Sequence, residues 1–144
     1  MTASGFDAAS DPWLGRTDAI FGEATDRLMV LLGEAVSRLQ PFPPFPGALF
    51  TFGVEVEPDG VDDASIGCIV VTEQGELREL QIGIDAEGIG AFGDADPFAS
   101  RSEQLVEPDL SARQRLILVH NGLLAVQRLL GQQADAAQRQ AESR

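Results

Sequence analysis

The chain has no lysine, a single cysteine, a single histidine and no long apolar run. Each shortage excludes something. With Cys68 alone, no intramolecular disulfide can form, and a reducing compartment is expected. No apolar stretch approaches the ~18 residues needed to cross a bilayer. The opening stretch MTASGFDAASDPWLG has neither the basic nor the apolar region of a signal peptide, so a cytoplasmic protein is expected. Arginine is the only basic residue type: ten arginines stand against 23 acidic residues, giving a net charge of −13. Such usage fits a GC-rich genome or a salt-adapted surface, and neither identifies a function. A field of this sign repels phosphate backbones and anionic membranes, so neither nucleic acid nor membrane is an expected partner.

What is present suffices for one domain: 144 residues, 44% of them hydrophobic. Residues 1–16 read as a flexible N-terminal arm that Trp13 and Leu14 would pin to the body. A helix is predicted from Thr17, as N-cap, to Gln40. Ile20, Phe21, Ala24, Leu28, Leu31, Leu32, Ala35, Val36 and Leu39 fall on one side of it. Glu23–Arg27 and Glu34–Arg38 are spaced as supporting ion pairs on the other. The stretch QPFPPFPG cannot continue a helix, and Phe42 and Phe45 are expected to fold back on the core.

Three strand patterns follow. In ALFTFGVEVE, Phe50, Phe52, Val54 and Val56 alternate with polar or small residues and are expected to share one face. SIGCIVVT is apolar on both faces and suits a central strand. LRELQIGID places Leu80, Ile82 and Ile84 on one face. A two-residue turn at Gln74–Gly75 would join the last two, setting Ile69 opposite Leu80 and Val71 opposite Arg78. In residues 85–109, GIGAF or EQLVE is expected to add a short strand, or Phe92 and Phe98 to cover the core. Ser111-Ala112-Arg113-Gln114 is a capping-box pattern opening a last helix that runs to about Gln132. The expected organisation is therefore an arm (1–16), a single α+β domain (17–132) and a flexible tail (133–144). Its fold class is a three- to four-stranded antiparallel meander with an N-terminal and a C-terminal helix on one face.

Candidate chemistry is sparse. His120 lies at the edge of the apolar arc of the last helix, with no nucleophile motif and no second histidine. Cys68 lies mid-strand in acidic surroundings and is expected to be a buried small hydrophobe. The acidic loops around Asp59–Asp63 and Asp85–Asp96 lack the ligand spacing of a calcium loop, and EGIGAFG lacks the strand-then-helix setting of a phosphate loop. No catalytic residue, metal or cofactor is expected.

The last helix is more informative. Leu116, Leu118, Val119, Leu123, Ala125, Val126, Leu129 and Leu130 fill an arc of about 180°, and Ile117 and Leu124 form a separate ridge. One sheet face does not cover so much, so helix pairing and a homodimer are expected. The order of elements, a helix over Asp18–Leu39, strands FTFGVEV, GCIVVT and ELQIGI, then the helix RLILVHNGLLAVQRLL, resembles the small acidic dimeric type III secretion chaperones and their non-secretory relatives. That family has a middle helix and further strands for which residues 85–109 offer little room. The resemblance implies dimerisation and the holding of an extended partner segment, and no catalysis. The reading is a non-enzymatic, homodimeric protein- or peptide-binding module using Phe50, Phe52, Val54, Ile117, His120 and Leu124. The alternative is a small-molecule binder or minor enzyme with a pocket under residues 85–109, lined by Phe92, Phe98 and His120.

Overall fold

A computed structural model describes residues 12–84 and 101–143, apart from the side chain of Ile84. Among the described residues, two helices and four strands follow in the order α1 (Pro12–Ser37), β1 (Val54–Glu55), β2 (Cys68–Val71), β3 (Leu77–Ile84), β4 (Arg101–Val106) and α2 (Ala112–Glu142). The strands form one antiparallel sheet in sequence order, so β1 and β4 are its edges. Both helices pack on the same face. Leu32 and Val36 of α1 and Leu118, Val119 and Val126 of α2 share one buried cluster with Val54, Val56, Ile69, Val71 and Leu77. The α+β class, the meander, the fourth strand over EQLV and the helices on one face are as the sequence predicts.

The element bounds differ. Helix α1 begins at Pro12, five residues before Thr17. Proline in the first turn loses nothing, because its missing N–H would have no helical acceptor there. Thr17 is inside the helix, and its hydroxyl donates to the Trp13 carbonyl at 2.9 Å. The capping box of α2 is present: Ser111 Oγ accepts from the Gln114 N–H at 3.2 Å, and Gln114 Oε1 accepts from the Ser111 N–H at 2.9 Å. Helix α2 continues ten residues past Gln132, to Glu142, over alanine- and glutamine-rich chain of good helix propensity. The rest of the predicted arm, residues 1–11, lies outside the described residues, as do GIGAF, Phe92 and Phe98.

The β2–β3 hairpin forms in a register one residue away from the two-residue turn. Val71 pairs with Leu77 and Ile69 with Glu79. The Gly75 N–H donates to the Thr72 carbonyl and the Thr72 N–H to the Glu76 carbonyl, both at 2.9 Å, with Gly75 at φ +77°. This is a three-residue loop with glycine in the left-handed position. A side chain on Gly75 would also come within 2.9 Å of the Gly33 Cα on α1, so the turn fits a helix as well as a hairpin. Because side chains alternate, the shift gives Leu77 to the helix-facing core and Leu80 to the opposite face.

That opposite face has its own cover. Phe45, Val70 and Leu80 form a second buried cluster with Ala48 against it. The proline-rich segment 43–53 lies across the sheet as a strap, closed on itself by Phe45 N–H to Thr51 O (2.9 Å) and Gly53 N–H to Pro43 O (3.0 Å). Pro44 and Phe52 are bridge partners. Phe45 does fold back on the core, as the sequence predicts, and Gly53 leaves the space that the Val70 side chain fills.

Candidate functional site

The strap is held by a carboxylate. Glu103 of β4 accepts from the N–H groups of Leu49 (2.7 Å) and Phe50 (2.8 Å) and from the Thr51 hydroxyl (2.8 Å). Arg101 completes the latch: its Nη2 donates to Gly47 O at 2.9 Å, and its Nε lies 3.4 Å from Glu103. The Glu103 side chain is only 2% exposed. Burial pushes its pKa up, but the two backbone donors, the Thr51 hydroxyl and the Arg101 charge outweigh burial and hold it below the usual carboxylate range. With Phe45 and Thr51 turned to the sheet, Phe50 and Phe52 are left 67% and 59% exposed.

At the β1 edge the strap, the sheet and α2 enclose a cleft of about 240 Å³. Pro43, Pro44, Val54, Ala125 and Leu129 give it apolar walls, and Glu55, Glu57, Arg128 and Gln132 its polar ones. The backbone around it follows from the ladder. The Val56 N–H donates to Ile69 O at 3.0 Å, so Val54 and Val56 point their backbone groups at β2. Gly53, Glu55 and Glu57 therefore point theirs at the free edge. Gly53 is taken by Pro43, and the Glu57 carbonyl accepts from Asn121 Nδ2 of α2 at 2.9 Å. Between these two, the N–H and C=O of Glu55 face the cleft.

A small annexe lined by Glu57, Asp59, Asn121, Leu124 and Arg128 continues the cleft along α2. Asn121 also donates to the Asp59 carbonyl at 2.9 Å and so ties the acidic loop to the helix. Farther along that loop, Asp63 accepts from the hydroxyl (2.6 Å) and N–H (2.9 Å) of Ser65. Those two bonds, the hydroxyl's first, lower the Asp63 pKa.

The structure divides the six residues named from the sequence. Phe50 and Phe52 belong to the strap instead of a long first strand; β1 itself is two residues, and Phe52 bridges to Pro44 within the strap. Val54 is 4% exposed, a core residue that also forms one wall of the cleft. Ile117 packs under the acidic loop at Gly60, so its half of the ridge has cover from within the chain, whereas Leu124 stays 39% exposed. Leu124 lies in the annexe, whereas His120 is exposed on α2 and lines neither cavity.

Cys68 opens β2 and is exposed rather than buried, because it points to the face that the strap leaves partly open. Partial burial first, then the charges of Glu55 and Glu79, raise its thiol pKa. Sequence reasoning missed Glu103, Asn121 and the cleft itself. The tight spacing of prolines 41–46 was the one local signal that chain would be held apart from the sheet edge.

Among the described residues, no group of three or more His, Cys, Asp or Glu side chains gathers as metal ligands would, and no helix is long and apolar enough to cross a membrane. The chain matches no family model, no curated protein and no solved structure.

Proposed function

We propose that the protein is a non-enzymatic binding module that holds an extended segment of another polypeptide in the cleft between the strap, β1 and α2. The observation that carries this reading is the pairing of apolar walls with an outward-facing strand edge at Glu55. Extended chains bind sheet edges through their main chain and gain selectivity from pockets for alternate side chains. The cleft offers both, with the strand edge and α2 as its rigid parts. His120 and Cys68, the side chains best suited to catalysis, do not line it. No feature of the described residues favours the small-molecule alternative over this one.

The module is read as a homodimer. Ile20 and Leu31 lie three turns apart on one flank of α1 and are both exposed, and a second copy packed there would cover them. Light scattering after size exclusion should give twice the chain mass, and Leu31→Glu should halve it while the circular dichroism stays native. A monomeric native chain would remove the dimer from the reading. For binding, the amide signals of the full chain should be followed as a mixture of short random-sequence peptides is added. Shifts are expected at Glu55, Ala125 and Leu129. Their absence, or shifts confined to Ile82 and Leu105 on the other face, would overturn the cleft as the site.

A further inference from the structure

We infer that the segment accepted by the cleft is extended and carries a basic side chain between two apolar ones, docked as one added strand on Glu55. This rests on the binding-module reading and adds the chemistry of the partner. The argument begins with register. A strand that exchanges both backbone bonds with Glu55 places its own residue directly opposite Glu55, and directly opposite side chains share a face. The Glu55 side chain lies on the sheet face away from the helices, because Val54 and Val56 occupy the helix-facing core. The residue opposite Glu55 therefore meets a carboxylate, and opposite charges are favoured in such a pair. Its two neighbours point the other way, towards Ala125 and Leu129 of α2, where apolar side chains fit.

The wider electrostatics agree. Glu55 and Glu57 line the cleft, Asp59 stands in the annexe, and the whole chain carries −13. Among the described lining residues Arg128 is the one cation, and it stands on α2, across from the side on which Glu55 lies. The occupant is also short. The strap takes the edge at Gly53 and Asn121 takes it at Glu57, so a single residue of the incoming strand can form the full pair of bonds. An occupant of this kind is bound weakly, selected by charge and alternation more than by area.

Two blocked pentapeptides test this on the full-length chain, Leu-Arg-Leu-Arg-Leu and Leu-Glu-Leu-Glu-Leu, each titrated while the amide signals are recorded. The arginine peptide is expected to shift Glu55, Ala125 and Leu129, to bind more tightly than the glutamate peptide, and to weaken as salt is raised. Glu55→Gln, an exposed and isosteric change, should weaken it roughly two- to fivefold, the range of an exposed ion pair. Equal binding of both peptides in the cleft would overturn the basic preference and leave the module reading standing. If neither peptide moves the cleft residues while the random mixture does, the proposed alternation is wrong. If nothing moves them, the inference and the reading fall together.

Discussion

The two faces of the sheet are covered by different physics. On one, α1 and α2 bury Val54, Val56, Ile69, Val71 and Leu77 in a continuous apolar layer, and α2 comes so close at Gly122 that a Cβ there would lie 2.9 Å from Val71. On the other, among the described residues, a strap buries only Phe45, Val70 and Leu80, leaves Ile82 half exposed, and is fastened by hydrogen bonds to one carboxylate. Apolar burial without direction stabilises the whole domain, whereas a latch of directed bonds stabilises one segment in one place. The helix-side layer should thus set global stability. The strap should open below the global unfolding free energy, as locally fastened segments do. The cleft lies where the two regimes meet, with α2 and Val54 as its rigid walls and the strap prolines as its adjustable one.

The largest effect should come from the helix side. Leu118 is fully buried, and Leu118→Ala should lower the unfolding free energy by about 2–5 kcal/mol, since neighbours on two helices and a sheet cannot collapse into the gap. Denaturant unfolding measures this directly. On the strap side, Phe45→Ala removes a larger side chain yet should cost less, about 1.5–3 kcal/mol, the transfer contribution without an added cavity cost. The strap is tied at only a few points and can settle onto Val70 and Leu80. If Phe45→Ala cost as much as Leu118→Ala, the strap would be as integral as the helices and the contrast would fail.

The helix-side layer was largely legible because its signals are local. Ser111 and Gln114 sit at the spacing of a capping box, the apolar stripes of both helices keep the helical period, β2 is apolar on both faces as a central strand is, and strand alternation survives in β3. The register of β2–β3 was not legible. EQGE suits a two-residue or a three-residue loop equally, and the close approach of Gly75 to Gly33 favours the longer one, a contact 42 residues apart in sequence. Phe50 and Phe52 misled for a similar reason. They continue the alternation of Val54 and Val56, but this stretch pairs with the proline segment instead, Phe52 bridging Pro44 and the Gly53 N–H donating to Pro43. The latch joins Glu103 to residues 53 and 54 positions away. No local pattern distinguishes that glutamate from the other acidic residues of the chain. The cleft is equally non-local, since its walls come from the strap, β1 and the middle of α2.

The smallest global effect, and the sharpest test of the contrast, belongs to Glu103. Its pKa in the folded chain is depressed, so its ionised form contributes stability that is fully present above the ordinary glutamate value of about 4.3 and is lost as pH falls through the folded value. Between neutrality and that value, the amide signals of Leu49, Phe50 and Thr51 should stay in place; on further acidification they should move before those of Val71 and Leu77. Asp63 titrates low as well, but its release should appear at Ser65, remote in sequence from the strap. Glu103→Gln separates the two at neutral pH. It keeps the shape and removes the charge that accepts from Leu49 and Phe50, so those two amides should exchange faster, on the order of tenfold for one charge-assisted bond weakened. The denaturation midpoint should move far less than for Phe45→Ala. Unchanged exchange at Leu49 and Phe50 would mean that the apolar contact of Phe45 alone fastens the strap, and the two faces would then differ in extent but not in kind.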